Sequence, residues 1–139
     1  MTPDAYVIEY DADNRVLAVR FGTVVTDHTL LRFFDDAPGY VGGRDVAGTL
    51  IDYSAVVTVD VTSATMRTIG ARPPLLADPM PRVIVAPRDV VFGLARMALG
   101  HSHGRDHLHI VRSLEDAHRI LGIQDPRFVV LDSAADFAR

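Results

Sequence analysis

Four histidines lie within nine residues and form the stretch of this sequence best suited to metal chemistry. They are His101, His103, His107 and His109. Imidazole nitrogens are ordinary ligands of zinc, nickel and copper, so a loop and strand carrying them could close a metal site. Asp106 is the only carboxylate in this loop, the chain has no H-E-x-x-H helix, and histidine spacing alone is a weak motif. The alternative is a solvated loop before an exposed edge strand, so we assign no metal ligand and no cofactor.

A second group of polar residues, Asp60, Thr62 and Ser63, lies where a loop is predicted to enter a helix. Free backbone N–H groups at a helix start stabilise a phosphate, so a hydroxyl at this point is a candidate phosphorylation switch. The alternative is that Asp60 or Thr62 caps the helix by accepting hydrogen bonds from the same N–H groups. If the switch exists, Thr62 is the predicted acceptor.

Three further polar residues follow predicted strands. Asp52 follows one strand, and Arg88 and Asp89 follow another. Ligands and partners of open α/β sheets usually bind beyond the carboxyl ends of the strands. We therefore predict that these residues and the group at Asp60–Ser63 lie along one rim and bind a partner or ligand. The alternative for Arg88 and Asp89 is a solvated arginine beside an acid that favours the helix dipole.

No combination of residues in this sequence predicts an enzyme. The chain lacks G-x-S-x-G, a P-loop and G-x-G-x-x-G. It has no cysteine, which excludes disulfides, thiol nucleophiles and zinc sites built on cysteine. Asp52, Asp60 and His28 supply the residue types of a triad, but their sequence positions do not bring them together. We therefore predict a non-enzymatic protein.

The stretch Pro81–Gly100 is the clearest structural unit in the sequence. The β-branched run Val83–Val85 predicts a buried strand, which is followed by a turn at Pro87. Apolar residues then recur from Val91 at the spacing i, i+3, i+4, i+7, which predicts a helix with one apolar face.

Similar patterns predict the element order β-β-α-β-α-β-α-β-α in a single domain, residues 1–139, with 124–139 as a C-terminal extension. Alternating strands and helices favour parallel pairing, and a polar turn after the first strand favours an antiparallel hairpin. Val56–Val61 is predicted to be a loop, and Pro38-Gly39 to end the first helix. Phe128–Asp132 is either an extra edge strand or a segment that pairs with another subunit. The other predicted strands are Tyr6–Tyr10, Arg15–Phe21, Thr49–Ile51 and His107–Val111, and the other predicted helices are Asp27–Ala37, with Thr26 as its N-cap, Ser63–Ala71 and Leu114–Leu121. In the last helix, Ser113 is predicted to be the N-cap and Gly122 to end it, with Leu114, Ala117 and Leu121 on the apolar face.

Composition favours a cytoplasmic protein that does not bind nucleic acid. Of its 139 residues, 48% are apolar, but no apolar run approaches the roughly 20 residues of a membrane span. No secretory leader is evident in Met1–Tyr10. The net charge is −4, and the fourteen basic residues, all arginine, are spread along the chain. Nucleic-acid binding normally needs a concentrated basic face.

The segment RVIVAPRDVVFGLARM, followed by a strand and IVRSLEDAHRILG, resembles the SpoIIAA-like proteins. That family has an R-x-x-x-V-A-P…F-G-x-A-R-M segment and then an F-R-x-x-x-x-A-x-x-W-L helix; Arg88 and Ile120 depart from the usual residues. The resemblance covers Tyr6 to about Ile123. It implies an α/β, STAS-like fold: a mixed β-sheet of four to five strands with an N-terminal antiparallel hairpin and about four helices.

The resemblance also implies a function. STAS domains of the anti-sigma-factor antagonist type carry D-S-S-G-L at a helix start, where a phosphorylated serine switches partner binding. Here Asp60 falls on the aspartate of that motif and Thr62 on the modified serine, while Ser63 replaces the glycine. We therefore expect a protein–protein interaction module, with a phosphorylation switch as an option.

The sequence leaves open two alternative functions and the formation of a homodimer. The similar Sec14-type architecture implies a carrier of an apolar small molecule or lipid, and the histidines imply a metal-binding protein. The apolar segment Phe128–Leu131 is suited to the seam of a homodimer. Side chains that could line a carrier's cavity are Phe33, Phe34, Phe92 and Met97.

Overall fold

The computed structural model describes residues 5–73, 80–101 and 107–132. Within these ranges, the chain forms eight strands and four helices, and none of the helices is long and apolar enough to cross a bilayer. In chain order they are β1 (Tyr6–Asp11), β2 (Val16–Phe21), β3 (Val24–Thr26), α1 (Asp27–Val41), β4 (Gly48–Asp52), β5 (Thr58–Asp60), α2 (Ser63–Ala71), β6 (Arg82–Val85), α3 (Asp89–His101), β7 (Leu108–Val111), α4 (Leu114–Leu121) and β8 (Val129–Asp132).

The main sheet is mixed, and its described strands lie in the order β7-β6-β4-β2-β1-β8. β2, β4, β6 and β7 pair in parallel, whereas β1 is antiparallel to both β2 and β8. The predicted α/β class is confirmed. The predicted count of four to five strands is wrong for the part of the chain described, because β8 adds a sixth strand beside β1.

Helices cover the two faces of the sheet unequally. α1, α2 and α3 pack on one face, over a core that includes Phe33, Met66 and Val91. α4 packs on the other face, where Ala117 contacts a smaller core that includes Leu50 and Val83. All five residues of β4 are buried, since this strand lies under both layers.

The glycine at the start of β4 allows α4 to pack closely on the sheet. A Cβ atom at Gly48 would lie 2.6 Å from Leu121 Cδ2 and 3.3 Å from the Pro81 carbonyl oxygen. Any larger residue at Gly48 would therefore displace the Leu121 side chain of α4.

A second sheet of two short strands lies beside the helices. β3 and β5 pair in parallel, from Val24↔Thr58 to Thr26↔Asp60. The prediction of a loop over Val56–Val61 is therefore wrong at residues 58–60. Strands of three residues are too short to show alternation, and these two are joined by long-range pairing that local sequence does not reveal.

Two predicted helix features are wrong. α1 does not end at Pro38-Gly39 but continues to Val41, and the N–H of Gly42 donates to the Pro38 carbonyl oxygen. A proline near the end of a helix removes only one backbone hydrogen bond, so one more turn is tolerated. Leu114 was expected on the apolar face of α4, but it is exposed because the packing of this helix runs through Ala117 and Leu121.

A buried carboxylate ties the turn between β1 and β2 to the segment that enters β8. Asp11 is fully buried and accepts hydrogen bonds from the Asn14 N–H at 3.1 Å, Asn14 Nδ2 at 2.7 Å and the Arg127 N–H at 3.0 Å. Asn14 also bonds the backbone of Gln124 in both directions. The extra-strand interpretation of Phe128–Asp132 is thereby confirmed for Val129–Asp132, because β8 pairs with β1 of its own chain.

We predict that Asp11→Ala lowers the free energy of unfolding by about 2–4 kcal/mol, because it removes the buried charged acceptor of three hydrogen bonds. Urea titration followed by circular dichroism measures this change. Asp13→Ala, in the same turn but exposed, is the matched control and should change stability by less than about 0.5 kcal/mol. Equal effects of the two substitutions would contradict the role given to Asp11.

The stability that Asp11 supplies should depend on pH. Burial raises the pKa of its carboxyl group. The N–H groups of Arg127 and Asn14 lower this pKa by more than burial raises it, so the net pKa lies below the ordinary value of 3.8. The ionised form is thus favoured in the folded state, and its contribution is present above that ordinary value and lost as pH falls through the folded pKa. The stability difference between wild type and Asp11→Asn should therefore be constant from about pH 5 to 7 and shrink below about pH 4. A difference that stays constant to pH 2 would contradict this assignment.

Candidate functional site

The predicted site residues lie toward one end of the molecule, at the carboxyl ends of the parallel strands. Asp52 ends β4, and the Tyr53 N–H donates to the carbonyl oxygen of Val85, the last residue of β6, at 2.9 Å. β3 and β5 continue beyond this end, because the N–H groups of Val57 and Thr58 bond the Thr23 carbonyl oxygen just after β2. α2 and α3 begin from the loops that follow.

Asp52 is engaged within its own turn. Its side chain is buried, and its carboxylate accepts a hydrogen bond from the Ser54 N–H at 2.8 Å. Because side chains alternate along a strand, Asp52 lies on the same face as Leu50, which belongs to the core beneath α4. It is thus directed away from the layer that holds α1, α2 and α3.

The starts of α1 and α2 are joined through one carboxylate. Asp27, the first residue of α1, accepts hydrogen bonds from the Thr62 N–H at 2.8 Å and from the Thr62 hydroxyl at 3.0 Å. The N–H of Thr62 is the leading cause that lowers the pKa of Asp27. The Thr62 Oγ1 also accepts from the Thr65 N–H at 3.2 Å, so Thr62 is the N-cap of α2. The capping interpretation is therefore confirmed, while Asp60 and Ser63 are exposed beside this junction.

Arg112, which the sequence analysis did not select, closes the turn between β6 and α3. Its Nη1 lies 2.7 Å from Asp89 Oδ1 and 3.2 Å from the Pro87 carbonyl oxygen. Its guanidinium carbon lies 3.9 Å from the centroid of the Phe92 ring, a cation–π contact. Asp89 thus has a charged partner, and Arg88 is exposed next to it. Asp52, Thr62 and Asp89 therefore lie at one end of the sheet, and each of them bonds its own partners: Ser54, Asp27 and Arg112 respectively.

An apolar cavity lies between the sheet and the three helices that cover it. Its volume is about 60 Å³, and its walls come from β3 to β6 and from α1, α2 and α3. Residues that contribute to the lining include Ile51, Val56, Met66, Ile69, Leu94 and Ala95. None of the described lining residues is charged.

Tyr53 is the one described lining residue whose side chain carries a hydroxyl. Its ring stacks on Phe21, with centroids 4.8 Å apart and planes inclined by 17°. The residue is partly exposed, yet burial alone raises the pKa of its hydroxyl well above the ordinary value. Within the described ranges, no protein group hydrogen-bonds this hydroxyl. A polar group in such surroundings is costly unless it finds a partner, so the hydroxyl is available to a water or a bound molecule.

Only one of the four residues expected to line a carrier's cavity lies in this lining. That residue is Phe34. Phe33 faces a smaller void of about 10 Å³, Phe92 lies against Arg112, and Met97 is exposed. The sequence analysis missed Tyr53 and the aliphatic residues of α2, because apolar lining and ordinary core share the same periodicity.

The histidine cluster falls partly outside the described residues. His103 is one of the residues not described, and α3 ends at His101. His107 precedes β7, and His109 lies within it; both are half-buried. Within the described ranges, no group of three or more potential ligands that could hold a metal ion occurs.

Comparison with known proteins identifies no relative. No protein-family model matches the chain, and no curated protein or solved structure matches it at a significant level.

We predict that Thr62→Glu lowers the free energy of unfolding by at least about 1 kcal/mol. The substitution removes the N-cap of α2 and places a second carboxylate against Asp27. Thr62→Gln is the matched control, since it loses the same cap without adding a charge. Thermal unfolding at low and high salt separates the two effects, because salt screens repulsion between exposed charges. Equal stability of the Glu and Gln variants at low salt would contradict the proximity of Thr62 to Asp27.

Proposed function

We propose that this protein is a non-enzymatic binding protein of STAS-like fold that holds a small apolar molecule in the cavity beneath α1, α2 and α3. The observation that carries the proposal is Tyr53, whose hydroxyl is the one polar side-chain group among the described lining residues and has no hydrogen-bond partner within the described ranges. Ligand sites are typically apolar cavities with a few well-placed polar groups. The sheet order, with an antiparallel strand next to four parallel strands, supports a STAS-like arrangement.

The lining indicates the chemistry of the ligand. Because none of the described lining residues is charged, a carboxylate or ammonium group would enter without a counter-charge, at a high desolvation cost. The Tyr53 hydroxyl can donate one hydrogen bond, and its raised pKa keeps it protonated at neutral pH. We therefore propose an uncharged ligand with one acceptor oxygen, such as a ketone, an ester or an ether.

The volume limits the size of the ligand. At about 60 Å³ the cavity is smaller than the engineered cavity of about 150 Å³ that binds benzene. A molecule of a few carbon atoms enters as the structure stands. A longer chain requires α2 and α3, which pack against each other along one wall, to move apart.

We predict that Tyr53→Phe weakens binding of acetone by about five- to tenfold, which is the net value of one hydrogen bond of about 1–1.5 kcal/mol. Binding of propane, which has no acceptor, should be nearly unchanged. Chemical-shift titration by NMR measures both affinities on the intact chain. Native mass spectrometry of freshly purified protein shows whether a natural ligand co-purifies.

Two further variants control this experiment. Tyr10→Phe removes a phenol hydroxyl that lies outside the cavity and bonds the Asp45 carbonyl oxygen, so it should leave both affinities unchanged. Ala95→Leu fills the lining and should weaken both ligands together. If acetone shifts no resonance of the cavity residues in wild type, the proposal fails.

A protein–protein interaction module is the second candidate function. It is favoured by exposed apolar residues at the carboxyl end of the sheet, Val57 after β4 and Val90 at the start of α3. Arg88 and Asp89 adjoin Val90, and the junction of Asp27 with Thr62 lies beyond Val57. In this proposal a phosphate on Thr62 would repel Asp27 and separate the starts of α1 and α2, which would alter the partner-binding rim.

Affinity capture from the native cell tests this second candidate. A specific partner should be retained by wild type and lost with Val90→Asp, while Met97→Asp, on an exposed position farther along α3, should retain it. A partner retained equally by all three proteins would contradict the assignment of the rim. As part of this second proposal, we keep the prediction from the sequence that the protein is cytoplasmic.

A further inference from the structure

We propose that the ligand site beneath α1, α2 and α3 extends past Ile51 to the hydroxyl of Thr49, and that the natural ligand carries a second hydrogen-bonding group at the end opposite its acceptor oxygen. The inference deepens the proposed function and rests on it. Tyr53 binds one end of the ligand, Thr49 binds the other, and Ile51 between them limits the length of chain that is admitted.

A buried hydroxyl without a partner marks the second end of the site. Thr49 is 3% exposed, and its Oγ1 has no hydrogen-bond partner within the described ranges. Buried hydroxyls are nearly always hydrogen-bonded, because an unpaired one has lost its bonds to water and gained none in exchange. Thr49 also lines the smaller void of about 10 Å³. Its hydroxyl is therefore available to a molecule that enters this void.

The alternation of β4 places both ends of the proposed site on one face of the sheet. Side chains at every second position of a strand share a face, and the hydrogen bond from the Tyr53 N–H to Val85 continues the pairing one residue beyond β4. Thr49, Ile51 and Tyr53 therefore all face the layer of α1, α2 and α3. Four residues of a strand span about 13 Å between Cα atoms, so a longer molecule than acetone is needed to contact both hydroxyls.

Ile51 is the one described residue that lines both voids. It borders the larger cavity together with Tyr53, and the smaller void together with Thr49. α1 covers both, since it supplies Phe34 to the first lining and Phe33 to the second. A ligand that joins the two hydroxyls must displace the Ile51 side chain, so this residue determines the length of the ligand.

The smaller void gives a longer chain a direction that leaves the contact between α2 and α3 closed. Within the described ranges its lining comes from β1, β2, β4 and α1, and includes no residue of α2 or α3. A chain confined to the larger cavity would have to separate these two helices, whereas a chain that passes Ile51 would not.

The second lining indicates the chemistry of the far end. None of its described residues is charged, and Thr49 and Tyr40 are the two with a polar side chain. A threonine hydroxyl both donates and accepts a hydrogen bond, whereas an ionised group would enter without a counter-charge. We therefore expect an uncharged linear molecule of medium length, with a carbonyl at one end and a hydroxyl at the other.

Three ketones test this assignment: acetone, hexyl methyl ketone, and hexyl methyl ketone with a hydroxyl at the far end of its hexyl chain. Chemical-shift titration of the intact chain measures each affinity. Wild type should bind the hydroxy ketone about fivefold more tightly than hexyl methyl ketone, the net value of one hydrogen bond. Thr49→Val, which keeps the shape of the side chain, should abolish this preference. Thr68→Val removes an exposed hydroxyl of α2 that lies outside both linings, so it should leave all three affinities unchanged.

Substitutions of Ile51 test the limit on length. Ile51→Val and Ile51→Ala shorten the side chain in two steps and should strengthen binding of both long ketones, by about tenfold for the alanine variant, because less of the core must be displaced. Acetone, which fits the larger cavity, should gain much less. Circular dichroism checks folding, and the valine variant carries the test if the alanine variant does not fold.

The outcomes separate this inference from the function on which it rests. If wild type binds acetone but neither long ketone, the extension is overturned and the proposed function stands. If wild type binds the two long ketones equally, Thr49 holds an ordered water only, and the extension is again overturned. Absence of acetone binding overturns both proposals.

Discussion

The arrangement of this protein depends on the burial of β4 from both sides. All five of its residues are buried, and alternate side chains serve different cores: Ile51 packs under α1 to α3, and Leu50 packs under α4. β2 and β6 flank it in parallel, so the segments that leave β2, β4 and β6 emerge at one end. This is why Tyr53, one residue beyond β4, lies between the sheet and the helices. The proposed ligand site is thus a continuation of this fully buried strand.

Strong local patterns in the sequence predict much of this fold. The β-branched run at Val83–Val85 and the spacing from Val91 correspond to β6 and α3. Thr62 and Ser113 act as N-caps, and Gly122 adopts the left-handed conformation, with φ 67°, that ends α4. Each of these features is decided by residues within one or two turns. Local physical chemistry is therefore enough to place them.

The remaining features depend on contacts between distant segments. β3 and β5 are three residues each and exist through their mutual pairing, so neither has a periodic signature. Thr62 was selected for its helix-start position, but its link to Asp27 joins residues 35 positions apart. Tyr53 shows no distinguishing pattern in sequence, because a tyrosine whose hydroxyl is bonded and one whose hydroxyl is free are the same letter in the same pattern. Which apolar residues leave a cavity is likewise decided by how helices pack, not by their periodicity.

The contact between Asp11 and the Arg127 N–H spans 116 positions, and this separation has a consequence for folding in time. During synthesis β1 can pair with β2 almost at once, but its other side stays open until β8 has left the ribosome. Through that interval β1 presents unpaired backbone groups on its open side, and the Asp11 carboxylate lacks one of its donors. Long-range pairing of this kind slows folding and exposes intermediates to association. The nascent chain is therefore most vulnerable to aggregation just before β8 is added.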